Sequence, residues 1–122
     1  MTMIYRLAGF VVLCALLAGP AHAQQSTFEN LTVDNTSGGV ALAASTHTPA
    51  SAPQQTYCVG KLETAQIRLR DDGTAPSTTV GTLVDIGDIV ELNGNVFLRA
   101  VRFIRTGSTS GAIQFQCYPE RP

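Results

Sequence analysis

The 122-residue chain has no tryptophan and only two histidines, and its charged residues, 14% of the total, nowhere form a run of one sign. Each shortage excludes something. Past residue 23 the only tyrosines are Tyr57 and Tyr118, each beside a cysteine. That suits packing around a disulfide better than the exposed aromatic platform of a sugar-binding surface. The absence of a basic or acidic block gives no footing for a nucleic-acid or membrane-surface partner. Nucleophilic catalysis needs a base held rigidly beside its nucleophile. Past residue 23 the one histidine is His47, set among Pro, Ser and Thr, and it reads as a solvated loop residue. No catalytic residue is expected.

Metal chemistry is equally short of ligands. Zinc takes three or four Cys, His or carboxylate ligands, and one histidine with two cysteines expected to pair leaves too few. Asp71, Asp72, Asp85, Asp88 and Glu91 match no calcium-loop spacing. Asp72-Gly73 and Gly87-Asp88 are explained by turn chemistry. Neither a metal nor a cofactor is expected.

Long apolar runs are also scarce, and the single one is diagnostic. Residues 1–23 read as a secretory signal peptide. Arg6 gives a short positive region, residues 7–18 an apolar stretch, and Ala21-His22-Ala23 a small-x-small cleavage site. The stretch is too short to span a membrane; the competing reading is a buried N-terminal helix. Cys14 lies inside the leader and lacks the small preceding residue of a lipoprotein anchor. The expected product, residues 24–122, is one small domain with seven cations against nine acids. It is expected to be secreted or periplasmic, with no membrane attachment after cleavage. A chain of this size buries roughly two-thirds of its unfolded surface.

Cys58 and Cys117 remain as an even pair in an oxidising compartment and are expected to bond, two buried thiols being the alternative. Closing the 59-residue separation between them would contribute about 4 kcal/mol by chain entropy.

The rest of the sequence reads as β. Short apolar segments recur between Gly, Asn, Asp and Pro, with no amphipathic helix of useful length. Strands are expected at 28–33, 40–44, 57–63, 66–70, 83–86, 89–92, 96–105 and 112–118. The 66–70 segment alternates strictly, with Ile67 and Leu69 on one face and Gln66, Arg68 and Arg70 on the other. Asn93-Gly94 signals a hairpin. Residues 45–55, carrying Pro49 and Pro53, are expected to form a mobile loop. Seven or eight short strands indicate a single all-β sandwich, immunoglobulin-like or jelly-roll-like.

Arg99, Arg102 and Arg105 recur at a spacing of three. On a regular strand this splits them between faces, and a bulge near Ala100 would reconcile Leu98, Val101 and Phe103 as core. Their bland role is to cover apolar surface with their stems; the functional one is an inter-subunit salt-bridge set with Asp85, Asp88 or Glu91. Asn30-Leu31-Thr32 and Asn35-Thr36-Ser37 are formal glycosylation sequons that matter only in a glycosylating host.

Two resemblances follow from motifs. The run from Glu63 to Pro76, then Val80-Gly81, Ile86-Gly87-Asp88, Leu92 and Arg102-Phe103-Ile104-Arg105-Thr106-Gly107, resembles small virion proteins of tailed bacteriophages and prophages, of the head-decoration or tail-accessory kind. Thr32-Val33-Asp34 and Gly38-Gly39-Val40 extend the likeness toward the start. The resemblance implies a non-enzymatic structural or interaction protein, virion-associated in that setting, and brings no defined catalytic or binding residue. Such proteins need no leader, so the leader here would redirect a phage-type module to the periplasm or cell surface. Separately, the run from Ile67 to Ser77 is similar to a strand-and-turn signature of immunoglobulin-like accessory domains on bacterial glycosidases, although Arg68 and Arg70 stand where those carry aromatics. It implies an extracellular ligand-binding or adhesion module as the alternative function.

A protein partner or self-association is expected. Contacts should concentrate on Arg68, Arg70, Asp71, Asp72 and Thr74, within the loop 71–79 and its strand, or at the turn 107–111. The leader makes the first testable statement. Protein recovered from a secreting host should begin at Gln24 on N-terminal sequencing, and a product beginning at Met1 would overturn the cleavage.

Overall fold

The computed structural model describes residues 25–122, so the expected leader lies outside the described residues. Seven strands among these residues form two antiparallel sheets, the all-β sandwich that the turn spacing implied. β1 (Thr27–Val33), β2 (Tyr57–Leu62), β5 (Ile89–Asn93) and β7 (Gly111–Tyr118) make a four-stranded sheet of order β1-β7-β2-β5. β3 (Ile67–Arg70), β4 (Thr82–Val84) and β6 (Arg102–Arg105) make a three-stranded sheet of order β4-β3-β6. Two short helices intervene, α1 (Ala44–His47) between β1 and β2 within the four-stranded sheet and α2 (Asn95–Ala100) between β5 and β6, linking the two sheets.

Period-two alternation selects the core. In β7, Gly111, Ile113, Phe115 and Cys117 are buried while Gln114 is exposed. In β5, Val90 and Leu92 are buried between exposed Ile89, Glu91 and Asn93. From the opposite sheet come Ile67, Val84 and Phe103. The Phe103 and Phe115 rings, both fully buried, sit 5.8 Å apart across the interface between the sheets. Each such side chain contributes roughly 1.5–3 kcal/mol by leaving water. Gly60 is part of this fit. A Cβ there would lie 2.6 Å from Phe115 Cδ1 and 2.8 Å from Ile113 Cγ2, so no other residue leaves room for those side chains.

Cys58 and Cys117 form a disulfide. They lie directly opposite each other on neighbouring strands β2 and β7, with Cα atoms 4.0 Å apart. Both are fully buried. One step along the ladder, Tyr57 faces Tyr118 with ring centroids 6.4 Å apart, and the Arg121 guanidinium lies over the Tyr57 ring. The tyrosines do pack beside the bridge, on the outer side of the sheet.

Four expectations are corrected. Residues 96–105 are not one strand: α2 occupies their first half, and β6 starts only at Arg102. Leu98 and Val101, three apart, are buried as on a helix turn, and Phe103 is buried two further on, as on a strand. No bulge is required. Asn93-Gly94 is not a hairpin turn; Gly94, at φ 103°, leads the chain from β5 into α2. Residues 40–44 are not a strand, because Val40 alone bridges to Phe103 through two backbone hydrogen bonds of 2.7 and 2.8 Å. Residues 45–55, expected to form an unpacked loop, instead contain α1 and bury Thr46, His47 and Gln55. Polar partners make that burial tolerable. Asn95 Nδ2 donates to the carbonyls of His47 and Gln55, the Thr27 hydroxyl donates to the Thr46 carbonyl, and Gln55 Nε2 donates to Pro53 and Gln25. Phe28, taken as a strand residue, is in β1 but 60% exposed, since Leu31 and Val33 set the buried face.

The bridge closes a long loop on a pair already in register. Replacing Cys58→Ser together with Cys117→Ser should lower the unfolding free energy by about 2–4 kcal/mol. Far-ultraviolet circular dichroism at low temperature should stay native-like. An unchanged denaturant midpoint would show that the cross-link constrains nothing.

Candidate functional site

Alternation puts Arg68 and Arg70 on the outer side of the three-stranded sheet, as expected, yet that side is not an open face. The segment linking β3 to β4 folds back across it. Pro76 is buried there. Gly39 and Gly81 approach closely: a Cβ on Gly81, whose φ is 127°, would lie 2.8 Å from the Leu69 carbonyl oxygen and 3.3 Å from the Pro76 ring. Arg68 lies half-buried beneath this segment. Its Nε donates to the Thr78 carbonyl at 3.1 Å and its Nη1 to the Gly81 carbonyl at 2.8 Å. Arg68 therefore holds the loop and is not a free contact residue. Its acceptors are backbone carbonyls, which carry no side-chain signature in the sequence.

Arg70 pairs with Asp72. The Asp72 carboxylate also accepts the Thr74 N–H at 3.0 Å. The Arg70 hydrogen bond first, and the Thr74 N–H second, hold the Asp72 carboxyl down to about 2 from the ordinary 3.8. Of the five residues expected to form an interaction surface, Arg68, Arg70 and Asp72 thus shape the loop. Asp71 and Thr74 remain exposed on it.

The other arginines are also largely engaged. Arg102 Nη1 donates to the carbonyls of Arg99, Ala100 and Val101, closing the C-terminal end of α2. Arg105 Nη1 donates to the Ser108 carbonyl. Arg99 is exposed, and its guanidinium has no hydrogen-bond or ion-pair partner among the described residues. His47, expected to be solvated, is only 9% exposed. Its Nδ1 lies 2.8 Å from the Thr48 hydroxyl, and burial, followed by the charge of Arg99, pushes its pKa down. The acids of the 85–88 turn serve the turn itself. Asp88 Oδ2 accepts the Asp85 N–H, Asp85 Oδ1 accepts from Gln66 Nε2, and Leu62 exchanges backbone bonds with Gly87 and Asp88. No three His, Cys, Asp or Glu side chains converge among the described residues.

What the structure adds lies along the open side of the sandwich. There both sheets end in a strand paired on one edge only, β4 in one and β5 in the other. Between and beside these strands runs a trough of two contiguous grooves, of about 350 and 360 Å³. Leu69, Asp71 and Thr82 line both. One continues past Arg70, Asp72 and Val80, the other past Leu83, Asp88, Ile89 and Glu91. Its only cation, Arg70, is already paired, so Asp71, Asp88 and Glu91 set its charge. Of the seven large apolar side chains exposed among the described residues, Val80, Leu83 and Ile89 belong to residues lining these grooves, and Ile86 lies on the turn between the two edge strands. Sequence reading had taken the last three as ordinary strand residues. Only the non-local placement of the two edges leaves them in water.

The chain matches no protein-family model, no curated protein and no solved structure.

The loop anchor carries a pH dependence of defined sign. The Asp72 carboxyl is depressed in the folded chain, so its contribution is complete above 3.8 and is lost as pH falls through about 2. An NMR titration should place the Asp72 carboxyl near 2 in the wild type and, after Arg70→Ala, closer to the ordinary carboxylate value. An unmoved titration would remove Arg70 as the cause.

Proposed function

We propose that this is a non-enzymatic structural or interaction domain, exported from the cytoplasm, for which the phage decoration and accessory proteins are the motif-level analogy. The supporting observation is the trough between β4 and β5. A rigid, disulfide-clipped sandwich lines this side with three exposed apolar residues, Val80, Leu83 and Ile89, and three acids, Asp71, Asp88 and Glu91. Apolar groups grouped in this way, with a polar rim, mark contact surfaces more often than solvent-facing decoration does. Unpaired strand edges add backbone donors and acceptors for a macromolecular partner. Export is supported by the leader's charge and apolar pattern and by the bridge, which persists in oxidising compartments. No helix among the described residues is long and apolar enough to cross a membrane.

The role is tested by position-specific photo-crosslinking in the organism that encodes the protein. A photoreactive residue in place of Ile89, which lines the trough, should yield discrete covalent adducts with a macromolecule. The same group in place of Ser37, exposed on the turn after β1 and outside both grooves, should not. Equal or absent labelling at both positions would overturn the reading.

A further inference from the structure

All the buried residues of the segment 43–56 are polar: Thr46, His47 and Gln55. The segment lies against the inward side of β1, where Thr27 and Glu29 alternate in phase with buried Leu31 and Val33. The Thr27 hydroxyl donates to the Thr46 carbonyl, and both Glu29 carboxylate oxygens accept the Ala43 N–H, at 3.2 and 3.1 Å. On the other side, Asn95 of α2 donates to the carbonyls of His47 and Gln55, and the Gln55 N–H donates to the His47 carbonyl at 3.0 Å. α1 is thus held between β1 and α2. His47, whose carbonyl takes two of these bonds, is the one buried side chain among the described residues that titrates near neutrality. Glu29 and Arg99 are the only charged residues of β1 and α2, and both face its ring. Glu29 is engaged by Ala43, and Arg99 would repel a protonated ring.

We infer that α1 is an acid-sensitive latch: protonation of His47 releases residues 43–56 from β1 and α2. The latch is independent of the trough and uses no residue that lines it. A buried imidazolium needs water or an acid to accept its protons. The closed segment offers it little of the first and no uncommitted carboxylate, whereas opening restores hydration. Burial first, and the charge of Arg99 second, lower the His47 pKa from the ordinary 6.5. The closed form therefore binds the proton less tightly than the open form. Closure is complete above 6.5 and weakens as pH falls from there towards the lowered value. The bonds given up in opening are those of Ala43, Thr46, His47 and Gln55. The β2–β7 ladder and its disulfide are not among them, so the release is local. Leu42, buried directly before α1, is the core residue it would uncover.

Amide hydrogen exchange between about pH 7.5 and 5, where carboxylates stay ionised, reads the latch directly. Corrected for the intrinsic exchange rate, protection of the Thr48 and Gln55 amides should fall by up to about tenfold per pH unit below 6.5. The amides of Leu62 and Phe103, bonded to Asp88 and Val40, should keep theirs. His47→Gln, which does not titrate, should flatten the dependence. Arg99→Ala, at an exposed position, should shrink it, because losing the like charge lets the ring protonate more readily in the closed form. Should His47→Gln melt early, Arg99→Ala and the NMR titration of the wild-type His47 ring decide instead, and that ring should titrate below 6.5. A ring titrating at or above 6.5, protection that survives acidification, an equal loss at Leu62 and Phe103, or the same loss in folded His47→Gln overturns the inference.

Discussion

The register of β2 is the constraint on which the rest of the molecule hangs. β2 lies between β7 and β5, so it carries the last strand on one side and the trough on the other. Side chains alternate with a period of two, and a slip of one residue would turn Cys58, Gly60 and Leu62 outward and push Tyr57, Val59 and Lys61 into the core. Three independent features forbid it. Lys61 cannot be buried without a partner. Gly60 is the only side chain that fits beneath Phe115 and Ile113. The disulfide ties Cys58 to the residue directly opposite it. With β2 fixed, β5 is fixed through five paired positions, and with β5 the direction in which Ile89 and Glu91 face.

Where one period governed a segment, the fold was legible in the sequence. Ile67-Arg68-Leu69-Arg70 and the alternation of β7 sort core from surface correctly, and the pairing of Cys58 with Cys117 was expected from their being an even pair. Where two periods met, it was not. Between 93 and 105 the buried residues step by three from Leu98 to Val101, then by two to Phe103. The chain passes from helix to strand within one run of apolar residues punctuated by Arg99, Arg102 and Arg105. The spacing of three among the arginines did not mark the helix, since only Arg99 lies in α2 while Arg102 and Arg105 lie in β6. Gly94 misled for a related reason: a positive φ is as useful for entering α2 as for turning a hairpin.

The candidate site was legible only in its ingredients. Residues 71–72 and the arginines of β3 stood out as polar features on a loop and a strand. Which of them are occupied depends on where the 74–81 segment folds. Arg68 illustrates the difficulty: alternation puts it outside the sheet, and the loop then covers it. The trough is less legible still, because β4 and β5 belong to different sheets and are drawn together only by the packing of Ile67, Val84 and Phe103 against Val90, Leu92 and Phe115.

An open side with apolar residues on two edges is ordinarily an aggregation hazard. The far edge of β6 is relieved of it by Val40, whose paired backbone bonds to Phe103 cap the strand. The β4–β5 side has no such cover among the described residues, and carries acids instead. Their placement matters more than their number. Glu91, at the centre of β5, penalises pairing of that edge with its own copy, while Asp71 and Asp88 lie at the rim, where a cation can reach them without extending the sheet. Such an arrangement suppresses indefinite edge-to-edge pairing and still leaves the apolar floor accessible from the side.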